Sequence, residues 1–103
     1  MLGRPRKVAV VSASSEGETT LNAFDRALLK AGIGNLNLVK VTSILPPDVE
    51  IVRGPPGRIP EGSMVPVIIA CITSNKSNER IAAALAIART KGGPGLVAEY
   101  TGV

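Results

Sequence analysis

A short β-rich segment that runs into two adjacent prolines constrains the fold of this chain more than any other feature. Residues 37–43 alternate weakly between apolar and polar side chains and contain several β-branched residues, which favours a strand. Pro46 and Pro47 then remove two backbone donors, so a strand inside a sheet cannot continue through them. The strand is therefore predicted to end near Ser43, with a Thr42-Ser43 pair at its end.

The first third of the chain predicts a strand followed by a helix. Residues 7–13 are short and β-branched and end in a turn-like cluster, which is typical of a strand. Apolar residues then recur every three or four positions over 21–31, as on one face of a helix. Thr19 or Thr20 could cap this helix, and Gly32 is placed to end it.

The last half of the chain predicts a loop, a buried strand, a second helix and a final strand. Residues 53–63 are rich in proline and glycine, as exposed loops are. Residues 65–72 are apolar except for Pro66, which favours a strand buried on both faces with Cys71 inert inside it. Residues 78–90 predict a helix that is apolar all round over 81–88, and residues 96–100 predict a last strand.

Together these elements predict an α/β fold, an α+β layered sandwich with the order β-α-β-β-α-β. Helices would cover a sheet, and the whole of residues 1–103 would form a single domain, with residues 1–6 as a flexible tail. The buried strand and the apolar helix need more cover than 103 residues easily provide. The chain is therefore predicted to form an oligomer.

Composition narrows the classes of function. The net charge is +4, but the basic residues are scattered and aromatic residues make up 2% of the chain, so neither a basic stripe nor a stacking platform for bases is predicted. The absence of histidine and the single cysteine predict no zinc site and no internal disulfide. No apolar run approaches the roughly 20 residues that span a bilayer. We therefore expect a cytoplasmic protein with neither a nucleic-acid nor a membrane partner, although a small basic nucleic-acid-binding domain stays as an alternative.

Several motifs occur in an order that resembles pyruvoyl-dependent arginine decarboxylases. The chain matches that family at Ser14–Thr19, Leu21–Asp25, Gly32–Asn35, Thr42–Pro47, Gly62–Pro66 and Glu99–Tyr100. In this family a serine becomes a pyruvoyl group when the backbone cleaves itself. The resemblance therefore implies cleavage between Thr42 and Ser43, a pyruvoyl cofactor derived from Ser43, and assembly into a trimer or a multiple of trimers.

The resemblance also implies roles for further residues. Asn37 would assist self-processing, for example by a hydrogen bond to the Thr42 carbonyl, and Glu99 would give a proton to the reacting carbon. Asp25 would receive the substrate guanidinium, for which a two-oxygen acceptor is well suited. The remaining residues that would line the substrate pocket are Leu21, Gly34, Leu36 and Ile44.

Residue pattern alone allows simpler interpretations of the same side chains. Asp25 could be a solvent-facing residue paired with a basic neighbour, and Asn37 a polar residue at the start of a strand. Glu99 could face water from an edge strand, and Tyr100 is a second candidate for the proton donor.

A pyruvoyl carbonyl would supply the electron sink that amino-acid decarboxylation requires, through a Schiff base with the substrate amine. The predicted function is therefore conversion of L-arginine to agmatine and carbon dioxide in polyamine synthesis. A decarboxylase of the same class for another amino acid, or an uncleaved, non-catalytic family member that acts as a structural subunit, stays open.

Overall fold

A computed structural model describes residues 3–103 of the chain. Within these residues one helix and seven strands give a mixed fold of helix and sheet. In chain order they are β1 (Lys7–Val10), α1 (Thr20–Lys30), β2 (Asn37–Lys40), β3 (Ile44–Leu45), β4 (Glu50–Arg53), β5 (Met64–Val67), β6 (Ala82–Ala88) and β7 (Gly95–Gly102). Residues 3–6 are exposed, and residues 1 and 2 of the predicted tail lie outside the described part of the chain.

The strands form three small sheets. β1 pairs with β4 in parallel, and β2 pairs with β5 in parallel, with Asn37 opposite Met64. The third sheet is antiparallel in the order β3-β7-β6, with Ile44 opposite Leu96. Each parallel pair therefore joins one strand that precedes Ser43 to one strand that follows it.

The predicted first helix is confirmed together with both of its end signals. The Thr19 hydroxyl accepts a hydrogen bond of 3.0 Å from the Asn22 amide, as an N-cap does. Gly32 has a φ of +84°, a left-handed conformation that glycine adopts without steric cost after a helix. The half-buried residues of α1 follow helical spacing and are Ala23, Phe24, Ala27 and Leu28.

The prediction of a second helix over residues 78–90 is wrong. Residues 82–88 form β6, which pairs with β7 along its whole length from Ala82–Gly102 to Ala88–Leu96. Antiparallel pairing with β7 outweighs the high helix propensity of alanine. The order is consequently β-α-β-β-β-β-β-β, and one of the two predicted helices is present in the described residues.

The strand predicted over residues 65–72 is also shorter and less buried than expected. β5 ends at Val67, and residues 68–72 have no regular secondary structure. β5 belongs to a two-stranded sheet, so the missing amide of Pro66 can be placed on its unpaired edge. Cys71 is exposed, which contradicts its predicted burial.

Two other predicted strands have different bounds. The first strand ends at Val10 rather than at residue 13. The segment predicted as one strand over residues 37–43 is divided, because β2 ends at Lys40 and β3 begins at Ile44. The predicted final strand is confirmed and extended, since β7 runs over Gly95–Gly102.

The core lies under β3 and β7. Among residues 3–103 its fully buried apolar side chains are Leu45, Val49 and Val97, at 3–7% exposure. The half-buried residues packed against them are Val8, Ile51, Ile68 and Ile87. Within the described residues no helix is long and apolar enough to cross a membrane.

The other face of the antiparallel sheet is uncovered in the single chain. We call it the outer face. Its large exposed side chains are Ile44, Leu96 and Tyr100, at 51–60% exposure. Its alanines are also exposed and are Ala82, Ala84, Ala86, Ala88 and Ala98. The outer face is therefore a broad apolar surface of the kind found at interaction sites.

Candidate active site

The Thr42–Ser43 peptide bond lies where the chain crosses from one sheet to another. The Val41 amide donates to the Val67 carbonyl at 2.9 Å, and the Val97 amide donates to the Ser43 carbonyl at 2.9 Å. Thr42 lies between these two anchors and is exposed. Within residues 3–103 its backbone makes no hydrogen bond to another backbone group. Hydrogen bonds therefore hold the residues on both sides of Thr42. The Thr42 carbonyl, which Ser43 would attack, accepts no backbone hydrogen bond within residues 3–103.

Ser43 lies at a half-buried bend just before β3. Side chains alternate between the two faces of a strand. In β3, Ile44 is exposed on the outer face and Leu45 is buried on the core face. Ser43 itself precedes the strand and is held through its carbonyl by the Val97 amide.

The β3–β7 register brings Val97 beside Ser43. Ile44 is opposite Leu96, and the Val97 amide donates to the Ser43 carbonyl. Glu99 follows Val97 by two residues, so the side chains of Val97 and Glu99 lie on the core face of β7. Val97 is buried, whereas Glu99 is exposed.

Tyr100, the second candidate for proton donor, points the other way. Neighbouring residues on a strand face opposite sides of the sheet, and Tyr100 is 60% exposed on the outer face. Glu99 is opposite Leu85 in the ladder, whereas Tyr100 is opposite Ala84. Of the two adjacent residues, Glu99 is the one on the same face as Val97, whose amide binds the Ser43 carbonyl.

An open surface cavity of about 290 Å³ lies beside Glu99. The residues that line it are Lys40, Ile69, Ala70, Cys71, Glu99 and Thr101. Lys40 is the last residue of β2 and precedes Thr42 by two positions. Sequence reasoning missed Lys40, although a lysine between two valines just before the Thr-Ser pair was a visible signal. The cavity thus combines one acidic and one basic side chain near the predicted cleavage site.

Asn37 fixes the beginning of β2. Its side-chain Nδ2 donates to the Gly62 carbonyl at 2.7 Å, and its backbone amide donates to the Ser63 carbonyl at 2.9 Å. Asn35 accepts a further bond from the Gly62 amide at 2.8 Å. The amide of Asn37 is therefore engaged with the turn before β5 rather than with Thr42. Its role in self-processing stays a prediction.

The two helical residues of the predicted substrate pocket lie together. Leu21 and Asp25 are four residues apart on α1, so they share one face of the helix. Both are exposed in the single chain, Leu21 to 66%. An exposed leucine beside an exposed aspartate offers an apolar wall and a carboxylate on the same surface.

The other three pocket residues occupy separate positions. Gly34 lies in the connection after α1, where a Cβ would come within 2.5 Å of the Leu29 Cδ2 atom. Leu36 is half-buried just before β2, and Ile44 is on the outer face. Within residues 3–103 the cavity beside Glu99 is lined by none of the five predicted pocket residues. Within one chain, the cavity beside Glu99 is therefore separate from Asp25, the predicted guanidinium site.

The family of this chain follows from comparison with known proteins. A family model described as pyruvoyl-dependent arginine decarboxylase matches residues 7–103, which includes every residue of the site described above. The chain belongs to this family. The family predicted from the motifs is thereby confirmed.

Curated relatives with this name come from several organisms. The protein of Methanocaldococcus jannaschii is 49% identical over 100 residues, which cover 95% of this chain and 59% of the relative. The proteins of Thermococcus sibiricus and Pyrococcus horikoshii are 46% and 44% identical over 99 residues, or 95% of this chain and 63% of each relative. All three are named pyruvoyl-dependent arginine decarboxylase. The chain spans about three-fifths of the length of the curated relatives it matches.

Proposed function

We propose that this chain cleaves itself between Thr42 and Ser43 and that the pyruvoyl group formed from Ser43 serves in the decarboxylation of L-arginine to agmatine and carbon dioxide. The observation that carries this proposal is the crossover between two sheets. There the Thr42 carbonyl accepts no backbone hydrogen bond within residues 3–103, whereas Val41 and Ser43 on either side are hydrogen-bonded. The names of the relatives support arginine as the substrate.

The cleavage needs nothing beyond the chain and water. The Ser43 hydroxyl adds to the Thr42 carbonyl carbon and the amide becomes an ester, which frees the Ser43 amino group. β-Elimination then breaks the ester and leaves Thr42 as a new carboxyl terminus, with residue 43 dehydrated. One water hydrolyses the resulting imine and one ammonia leaves, so the carbonyl of a pyruvoyl group remains at residue 43. Since the Val41 and Ser43 anchors hold the backbone in place, the hydroxyl needs little reorganisation to attack.

The surroundings of Ser43 fit a pyruvoyl group. Residue 43 is half-buried, its own carbonyl is held by the Val97 amide, and the Glu99 carboxyl group belongs to the residue two positions after Val97 on β7. When present, the group supplies the electron sink for the carbanion that the loss of carbon dioxide leaves. In this proposal Glu99 would hold and deliver the proton that this carbon needs. Lys40 adds a positive charge to the same cavity, where it can attract a carboxylate.

A second copy of the chain would complete the site. Asp25 and Leu21 are exposed on α1 and do not line the cavity of their own chain, whereas the guanidinium of arginine lies several bonds from its reacting carbon. We infer that α1 of a neighbouring copy supplies Asp25 to the cavity beside Glu99, in a trimer or a multiple of trimers. The uncovered outer face supports such an assembly, because a stable oligomer would remove apolar surface from water.

An intact-mass spectrum of the denatured protein tests the cleavage directly. Two chains that end at Thr42 and begin at residue 43 are expected, and together they should weigh the full chain plus one water less one ammonia. A carbonyl-trapping reagent should add to the second chain alone. One uncut chain would refute the proposal and would favour the non-catalytic alternative.

Arginine specificity has a separate test in the cleaved protein. Asp25→Asn removes the charge that would face the guanidinium and should raise KM for arginine about tenfold or more, since charged hydrogen bonds are the strong ones. Asp48→Asn is a matched control, because Asp48 is also exposed and lies in a turn away from the cavity. An unchanged KM in Asp25→Asn would exclude Asp25 as the guanidinium site.

A further inference from the structure

Arg89 connects the end of β6 to the segment that follows Ser43. Its Nη2 donates to the Val49 carbonyl at 2.7 Å, across forty residues of sequence. Val49 is 3% exposed and its amide closes a turn on the Pro46 carbonyl at 3.3 Å. A charged donor on the carbonyl of a buried residue forms one of the stronger contacts available to a backbone group.

The segment 43–49 has few other attachments. β3 contains two residues, and the prolines at 46 and 47 provide no amide for a ladder. Burial of Leu45 and Val49 and the bond from Val97 to Ser43 hold the rest. If the chain is cut before residue 43, this segment becomes a chain terminus, and termini fray unless contacts tie them down.

We propose that Arg89 is a positioning residue that holds segment 43–49 against β7, and with it the reactive group at residue 43. The part of this inference that concerns the reactive group rests on the proposed self-cleavage. Arg89 acts through Val49 and does not touch the reacting atoms. Its effect is to keep the start of the second fragment in the geometry that Ser43 has in the uncut chain.

Hydrogen exchange measured by mass spectrometry tests the holding role in either form of the protein. Arg89→Met removes the donor and keeps a long apolar side chain, so a peptide covering residues 44–52 should exchange about ten times faster, a factor that corresponds to about 1.4 kcal/mol. A peptide covering residues 20–30 should be unchanged. Arg89→Lys keeps one charged donor and should restore part of the protection. Arg58→Met is the matched control, because the Arg58 side chain makes no hydrogen bond within residues 3–103 and lies in an exposed loop.

Equal exchange of residues 44–52 in wild type and Arg89→Met would overturn the proposal, and so would faster exchange spread evenly over the chain. An intact mass measured on the same samples reports cleavage independently, so failure of the proposed function is recognised separately. In cleaved protein, Arg89→Met should lower kcat for arginine about tenfold or more with KM within twofold, because small misplacements of a reactive group are costly. An unchanged kcat would overturn the role of Arg89 toward the reactive group.

Discussion

Replacing Glu99 with glutamine should slow arginine decarboxylation by the cleaved protein. Glu99 lies on the core face of β7, two residues from Val97, whose amide binds the Ser43 carbonyl. Glutamine keeps the size of the side chain but cannot supply the acidic proton. Loss of a positioned proton donor lowers kcat by about 10² to 10⁴, which corresponds to about 3–5 kcal/mol in the barrier.

The assay is release of carbon dioxide from arginine, measured after intact mass has shown equal cleavage in every variant. Tyr100→Phe is the matched control, because Tyr100 is the adjacent residue and lies on the opposite face. Its kcat should stay within about twofold of wild type, since it removes one exposed hydroxyl on the outer face. Glu99→Asp keeps the proton but is one methylene shorter and should fall between the two. A large loss in Tyr100→Phe with an active Glu99→Gln would refute the face assignment.

Three further substitutions test cleavage, core and helix. Ser43→Ala removes the attacking hydroxyl and should give one uncut chain by mass; any cleavage after Thr42 in this variant would exclude the mechanism. Leu45→Ala should lower the free energy of unfolding, measured in urea, by about 2–5 kcal/mol. Met64 is 78% exposed, so Met64→Ala should change this free energy by about 0.5 kcal/mol or less. Equal effects of the two substitutions would contradict the assignment of Leu45 to the core. Thr19→Ala should lower the free energy of unfolding by about 1 kcal/mol, because the Asn22 amide loses its capping acceptor, and Thr19→Ser should stay close to wild type. No loss is expected if Thr19 does not cap α1.

Local signals in the sequence were sufficient for the first helix and the last strand. Thr19 and Gly32 define the ends of α1 through side-chain capping and a left-handed glycine, both of which act within a few residues. The prolines at 46 and 47 follow directly after β3, but the single strand predicted over residues 37–43 is divided into β2 and β3. The sequence pattern therefore predicted the ends of α1 correctly and the bounds of this strand wrongly.

The prediction of a helix over residues 78–90 was wrong because long-range pairing with β7 determines the structure there. Residues 81–88 are all apolar, so a helical and an extended pattern could not be distinguished by polarity. The informative signal was side-chain size. The large side chains, Ile81, Leu85 and Ile87, occupy odd positions, and alanines occupy the even positions next to them. This alternation is typical of a strand, and it matters here because β7 is available as a partner.

The candidate site was predicted unevenly for similar reasons. Motif resemblance identified Ser43 and Glu99, but the register that brings Val97 beside Ser43, two residues from Glu99, depends on the pairing of Ile44 with Leu96. Lys40 was missed because its relation to Glu99 arises between two sheets. Asn37 shows a contact to Gly62 that no local pattern indicates, since the two are 25 residues apart.

The pairing of strands across Ser43 has a consequence for how the two fragments would depend on each other. Residues 43–103 keep the whole antiparallel sheet and the Leu45–Val49–Val97 cluster, whereas residues 1–42 contain β1 and β2, whose partners are β4 and β5 of the other piece. Produced as separate peptides, the halves would therefore behave as a split protein whose reassembly follows mass action. The shorter half would be the dependent one, with structure that appears as the concentration of the longer half rises.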